Sequence, residues 1–178
     1  SITCLLALST TVLYIFIYTP LKRITWLNTS IGAIPGAIPP LGGWAAATGE
    51  LAPEAWILFA ILFLWQHPHF YAIALMCRDD YKKADLQMLP VLEKDGRRTN
   101  RQIIWHSILL IPVSIMFSFI GMMGQVYYWG ALLLGIGYLI AGFPLIKNYS
   151  IDNAKLLLKV SVFYLPALFG IIILDRML

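Results

Sequence analysis

Not one aspartate or glutamate occurs in residues 1–49, and the 178-residue chain holds only 9 acids against 13 lysines and arginines. Charge of either sign is scarce, at 12% of residues, where soluble domains use about 25%. With 60% hydrophobic residues and a mean hydropathy of +0.76, that scarcity excludes an ordinary water-soluble globule. Cysteine is almost absent. Cys4 and Cys77 form no CxxC or comparable metal-ligand spacing, which excludes a disulfide scaffold and a zinc ribbon. Ten-residue segments of alternating polarity are also lacking, which excludes a transmembrane β-barrel. No internal repeat or low-complexity linker divides the chain, so 1–178 reads as one domain. Ser1 stands in front of the first apolar run with no basic leader, so that run reads as a spanning helix and not a signal peptide. A chain that begins almost inside a span reads as a piece of something longer.

What is present is a series of apolar runs near the ~20 residues that a helix needs to cross a bilayer. They cover about 2–18, 27–47, 53–77, 103–124, 126–146 and 156–174. The fold class is therefore all-α, a polytopic membrane protein with six transmembrane helices. Lys22 and Arg23 follow the first run; Arg78, Lys82, Lys83, Lys94, Arg97, Arg98 and Arg101 follow the third; Lys147, Lys155 and Lys159 border the connection before the last. Twelve of the 13 basic residues thus fall on one side. By the positive-inside rule that side is cytoplasmic or matrix-facing. The pI near 9.1 needs no nucleic acid to explain it. Cys4 and Cys77 are expected at opposite membrane faces, too far apart for a disulfide.

Three segments ask for more than spanning. In 27–49 the run LNTSIGAIPGAIPPLGGWAAATG contains Pro35, Pro39 and Pro40, each of which removes a backbone donor. It is either a kinked helix packed through its small residues or a broken helix lining a cavity. Asn28, Thr29 and Ser30 are candidates to cap its start. The third run ends in WQHPHFYAIALMCRDDY. His67 and His69, two apart, point to nearly opposite sides of a helix and cannot easily share a metal. His69 and Asp80 are eleven apart, so a continuous helix would carry both on one face about 16 Å apart along the axis. Each histidine can equally be a hydrogen-bonded core residue; for His67 that is the favoured reading. Arg78–Pro90, RDDYKKADLQMLP, packs six charges into its first eight residues. It is either a solvated helix end, with Asp79 and Lys83 paired at i,i+4, or a hard oxygen site for Mg²⁺. Magnesium typically takes one or two carboxylates together with substrate phosphates. Asp152 reads as a helix-capping residue. EKDGRRTNRQ (93–102) reads as a turn at Asp95–Gly96 followed by a basic strip, which serves topology or contacts diphosphate or lipid headgroups.

Together the phrases YTPLKRITWLNT (18–29), GAIPGAIPPLGGWAAATG (32–49), FAILFLWQHPHFYAIAL (59–75), RDDYKKADLQMLPV (78–91) and GRRTNRQI (96–103) resemble the haem O synthases. These protohaem IX farnesyltransferases belong to the UbiA-type intramembrane prenyltransferases. The resemblance covers essentially the whole chain, which looks like helices four to nine of a nine-helix bundle. The family's first Asp-bearing motif would lie upstream, so the isolated piece is expected to be inactive. Two positions depart from the family pattern: His67 stands where an apolar residue is usual, and Asp85 where glycine is usual.

The resemblance implies transfer of a farnesyl group from farnesyl diphosphate to a vinyl group of haem B, making haem O for haem-copper oxidases. Mg²⁺ is the implied cofactor. Asp79 and Asp80 would be catalytic and hold the metal. Lys22, Arg23, Arg78 and Lys82 would meet the diphosphate, and His69 would contact haem. Asn28, Trp65, Phe70, Tyr71 and Tyr81 are candidates to line the cavity. Partners would be the two substrates, the bilayer and haem A synthase or oxidase assembly factors, with no nucleic acid. The location would be a bacterial or mitochondrial inner membrane, bacterial favoured. The alternatives are a related prenyltransferase acting on a quinone precursor, a transporter, or a non-catalytic haem-binding assembly factor.

Overall fold

The computed structural model describes residues 1–178 as six long helices and two short ones, with no strand. Helix α1 is Ile2–Leu21, with a π-helical stretch at Leu13–Tyr18. Then follow α2, Asn28–Thr48; α3, Pro53–Met76; α4, Arg78–Lys83; and α5, Leu89–Leu92. The last three are α6, Arg97–Phe119; α7, Gln125–Lys147; and α8, Ile151–Met177. Five of them (α1, α3, α6, α7 and α8) are long and apolar enough to cross a membrane. The sixth expected span, α2, has 21 residues and the length, but its Asn, Ser, Thr, Gly and Pro content leaves it short of that apolarity. It remains one helix through Pro35, Pro39 and Pro40, packed between α1 and α3, so it is not broken, although it lines a cavity.

Helix α3 is the hub, packing on α2, α6 and α8, while α6, α7 and α8 pack in succession and α1 leans on α2. Ile57, Ile61, Leu64, Leu110, Phe117, Tyr138 and Tyr164 form the main core across α3, α6, α7 and α8. A polar group in this setting must find a partner inside the protein, and the core tyrosines do. Tyr127 donates to Ser114 O at 2.7 Å, Tyr164 shares a 2.6 Å bond with the Ser114 hydroxyl, and Tyr138 donates to Trp65 O at 2.9 Å. Phe16, Leu133 and Phe163 point out of the bundle, as a lipid-facing surface requires.

Helix ends explain where the observed bounds differ from the expected ones. Helix α6 starts earlier than the expected 103 because Glu93 accepts from the Thr99 amide at 2.6 Å and the Arg98 amide at 3.2 Å, and Asp95 from the Arg97 amide at 3.3 Å. These acids satisfy donors that a helix start leaves open. The Asp95–Gly96 turn is present, with Gly96 at φ 68° and a Cβ there blocked by the Tyr149 ring. Ser150, not Asp152, caps α8, accepting from the Asn153 amide at 3.4 Å; Asp152 pairs with Lys155 at 3.6 Å. Asn28, Thr29 and Ser30 do not cap α2. The turn before it already supplies acceptors, Thr25 O for the Asn28 amide and Leu27 O for that of Ile31, and the three side chains turn inward.

Candidate functional site

Two phrases far apart in sequence meet at one end of the bundle. The Gln87 amide donates to Lys22 O at 2.9 Å. The Asn28 side-chain amide, 1% exposed, donates to Thr25 O at 2.7 Å, Gln87 O at 2.9 Å and Lys22 O at 3.4 Å. Its own oxygen takes the Thr29 hydroxyl at 3.2 Å. One buried side chain thus fastens the end of α1 to the loop after α4, which brings Lys22 and Arg23 to the same rim as the acidic cluster.

On that rim α4 carries Asp79 and Asp80, both exposed. Asp80 pairs with Lys83 at 3.8 Å, both side chains 79% exposed, in place of the expected Asp79–Lys83 pair. A pair so wet contributes about 0–1 kcal/mol and holds neither group firmly. Arg78 donates to Glu93 O at 2.7 Å. Lys82 and Arg23 are exposed, and the Lys22 ammonium lies 5.9 Å from the Tyr18 ring centre. Asp79, Arg78 and Lys94 border two shallow clefts, one shared with Asp80 and Lys83, the other with Lys82 and Asp85.

The chain leaves α4 through paired bonds, Leu86 N to Tyr81 O at 3.0 Å and Asp85 N to Lys82 O at 3.1 Å. This ending places Asp85 at φ 54°, a left-handed conformation that glycine adopts without strain. Its carboxylate accepts from the Gln87 side chain at 3.1 Å, so Asp85 is a turn residue.

Below the rim, Tyr81 turns into an apolar cavity of about 250 Å³ between α1, α2 and α3. Tyr14 and Tyr18 of α1 form one wall, Thr29, Gly32, Pro35 and Gly36 of α2 another, and Gln66 and Phe70 of α3 the third. A Cβ at Gly32 would meet the Tyr18 ring at 2.7 Å, and one at Gly36 would run into the Gln66 amide. Phe70 and Tyr81 are among the cavity's lining residues. Asn28 serves as the clamp above, Trp65 donates to Ser161 O at 2.8 Å, and Tyr71 is buried in the inner core. Tyr14, Tyr18 and Gln66 were not anticipated; the Gly32/Gly36 spacing on one face of α2 was the available signal. Burial, with Cys77 adding to it, raises the Tyr81 phenol above its ordinary pKa, so at neutral pH it is a hydrogen-bond donor.

The two histidines of α3 face apart. His67, 0% exposed, has Nδ1 2.8 Å from Phe63 O and Nε2 3.0 Å from the Ser30 hydroxyl. Its ring stacks on His106 of α6, centroids 3.8 Å apart, a pairing that no sequence spacing announces. His69 is half-buried, with Nδ1 2.8 Å from the Ser161 hydroxyl. The continuous helix on which His69 and Asp80 would share a face is not present: α3 ends at Met76, and Cys77, at φ −100° and ψ 26°, separates it from α4. Nowhere do three His, Cys, Asp or Glu side chains converge as a metal site. Asp79 and Asp80 therefore suit a divalent cation only if phosphate and water complete its shell, which is how magnesium is commonly held.

Residues 1–165 match the model of the UbiA prenyltransferase family. The chain is 52% identical over 163 residues to a protein named protoheme IX farnesyltransferase from Solibacter usitatus, covering 92% of this chain and 56% of that protein. Identity to the protein of that name from Koribacter versatilis is 44% over 182 residues, covering 98% of this chain and 59% of the relative. For Gloeobacter violaceus it is 46% over 167 residues, covering 93% and 54%. The chain thus spans a little over half the length of these relatives. No solved structure matches it.

Proposed function

Because the chain belongs to the UbiA prenyltransferase family, we propose that it forms the larger part of an enzyme that moves a farnesyl group from farnesyl diphosphate onto a vinyl carbon of haem B, yielding haem O. The name borne by its relatives supports the choice of substrates. The observation that carries the reading is the double orientation of α4: Asp79 and Asp80 stand on a basic rim, and Tyr81 of the same helix lines the apolar cavity.

Each part suits one requirement of the chemistry. Heterolysis of the allylic C–O bond leaves a diphosphate with added negative charge and an allylic cation. Asp79 and Asp80 would hold Mg²⁺, which when bound would supply positive charge to that leaving group. Lys22, Arg23, Lys82 and the remaining guanidinium donors of Arg78 meet its oxygens, and fixed cations of this kind act on charge as it develops. The rings of Tyr14, Tyr18, Phe70 and Tyr81 offer the cation π faces and keep water away until the carbon–carbon bond has formed. The vinyl π pair attacks the farnesyl carbon, water adds its oxygen to the resulting cation, and one proton leaves. His69 contacts the porphyrin. Lys94 and the basic first turn of α6, Arg97–Arg101, face the cytoplasm or matrix with the other basic connections.

The test uses membranes carrying the protein at its relatives' length, supplied with farnesyl diphosphate, haem B and Mg²⁺. The expected product has the mass of haem B plus one farnesyl group and one hydroxyl. Asp79→Asn and Asp80→Asn should each lower turnover by about 10²–10³-fold while haem binding persists. Unaltered haem beside prenylated benzoate rejects the assignment, and so do full rates in both Asn variants.

A further inference from the structure

Ser161 on α8 is fully buried, and its hydroxyl donates its single proton to Leu158 O at 2.6 Å. Its oxygen can then only accept from His69, 2.8 Å away, which puts the imidazole proton on Nδ1. Nε2 keeps a lone pair and has no partner in the protein. The carbonyl of the same Ser161 takes the Trp65 indole N–H at 2.8 Å. Trp65 lies stacked on the imidazole, centroids 4.5 Å apart and planes 23° apart. Phe70, a wall of the cavity, also meets the imidazole edge-on at 5.4 Å. The ring is therefore held in plane and tautomer next to a wall of the cavity, half-buried, with Nε2 left without a protein partner. His67, two residues away, shows what a packing histidine looks like here: both of its nitrogens are engaged.

We propose that His69 Nε2 is an axial ligand to the iron of the porphyrin substrate, with Ser161 and Trp65 as the positioning residues that fix its tautomer and plane. The proposal rests on the farnesyl-transfer reading and deepens it. Metal-binding imidazoles are neutral, bind through one nitrogen, and hold the other N–H on a neighbouring acceptor; this network prepares that state. A hydrogen bond donated from Nε2 to a propionate would need the proton that the Ser161 arrangement keeps on Nδ1. An iron held at His69 lies next to Phe70, so ligation brings the porphyrin edge to the cavity that receives the prenyl chain. His106 also leaves Nε2 free, its Nδ1 being 2.7 Å from Gln102 O, but the ring it stacks on, His67, lines no part of the cavity, whereas Phe70 beside His69 does.

The experiment takes the protein at its relatives' length, solubilised, with haem B and no farnesyl diphosphate, and records absorption and electron paramagnetic resonance spectra. A histidine-ligated spectrum is expected. His69→Gly should abolish it and added imidazole should restore it. His69→Tyr should replace it with a phenolate-ligated spectrum, a gain that only folded protein can give. Ser161→Ala should keep haem bound with an altered spectrum and roughly 10-fold or more weaker affinity, and Ser161→Thr should recover the parent values. A spectrum unchanged in His69→Gly, or one lost in His106→Gln instead, overturns the ligand assignment and leaves farnesyl transfer standing. A parent protein that binds no haem overturns both.

Discussion

A single amide, that of Asn28, decides whether the rim exists as one surface. Replacing it with leucine leaves the carbonyl of Gln87 without its donor in a partly buried place and takes from Thr25 O the shorter of its two hydrogen bonds. An unmet group of that kind costs about 1–3 kcal/mol, so Asn28→Leu should lower the midpoint of thermal unfolding and increase hydrogen exchange at Gln87. At Asp85 the sign reverses. The residue sits at φ 54°, and glycine there relieves a strain of about 1 kcal/mol. Asp85→Gly should therefore raise the melting midpoint; a fall would mean that the carboxylate bond to Gln87 outweighs the strain. These two residues also differ in how legible they were. Asp85 stood out in the sequence only as a departure from the resembled family, and the turn that accounts for it is made by its immediate neighbours in the chain. Asn28 read as a helix cap, the usual local use of asparagine, whereas its decisive partner lies 59 residues away and no local pattern encodes it.

The long elements were legible because a bilayer demands near-continuous apolar runs, and α7, observed at Gln125–Lys147, falls almost where 126–146 was expected. Ends were less so. The start of α6 lies in a basic strip that hydropathy assigns to a loop, and it is helical because Glu93 reaches across to its first amides. Glu93→Ala should cost about 0.5–2 kcal/mol, read as fraying of Arg98–Thr99 by hydrogen exchange. Helix α2 shows a second limit. Its glycines suggested close packing, and close packing is what Gly32 and Gly36 permit, yet which neighbours they meet became visible only with α1 and α3 in place. Gly36→Ala presses a methyl group against the Gln66 amide at the cavity floor. Overpacking of this sort costs about 1–3 kcal/mol, and the variant should both melt earlier and raise the KM for farnesyl diphosphate.

At the level of the whole molecule, the charge asymmetry reads directly from the sequence. On the proposed sidedness a cysteine placed at Lys94 should react with an impermeant thiol reagent only from the cytoplasmic or matrix side, and one at Glu50 only from the opposite side. The candidate site is legible only in part at this scale. Sequence motifs identify the acids and bases of the rim, but the cavity is a product of three helices meeting and has no signature in any one of them. The clamp at Asn28 has a mechanical consequence. Lys22 belongs to the end of one membrane-crossing rod and the acids to a short helix hung from another, and their backbones are laced together through Gln87. Force applied to either flank is passed to the other, so the two shift together like the halves of a hinged buckle and do not slide past each other.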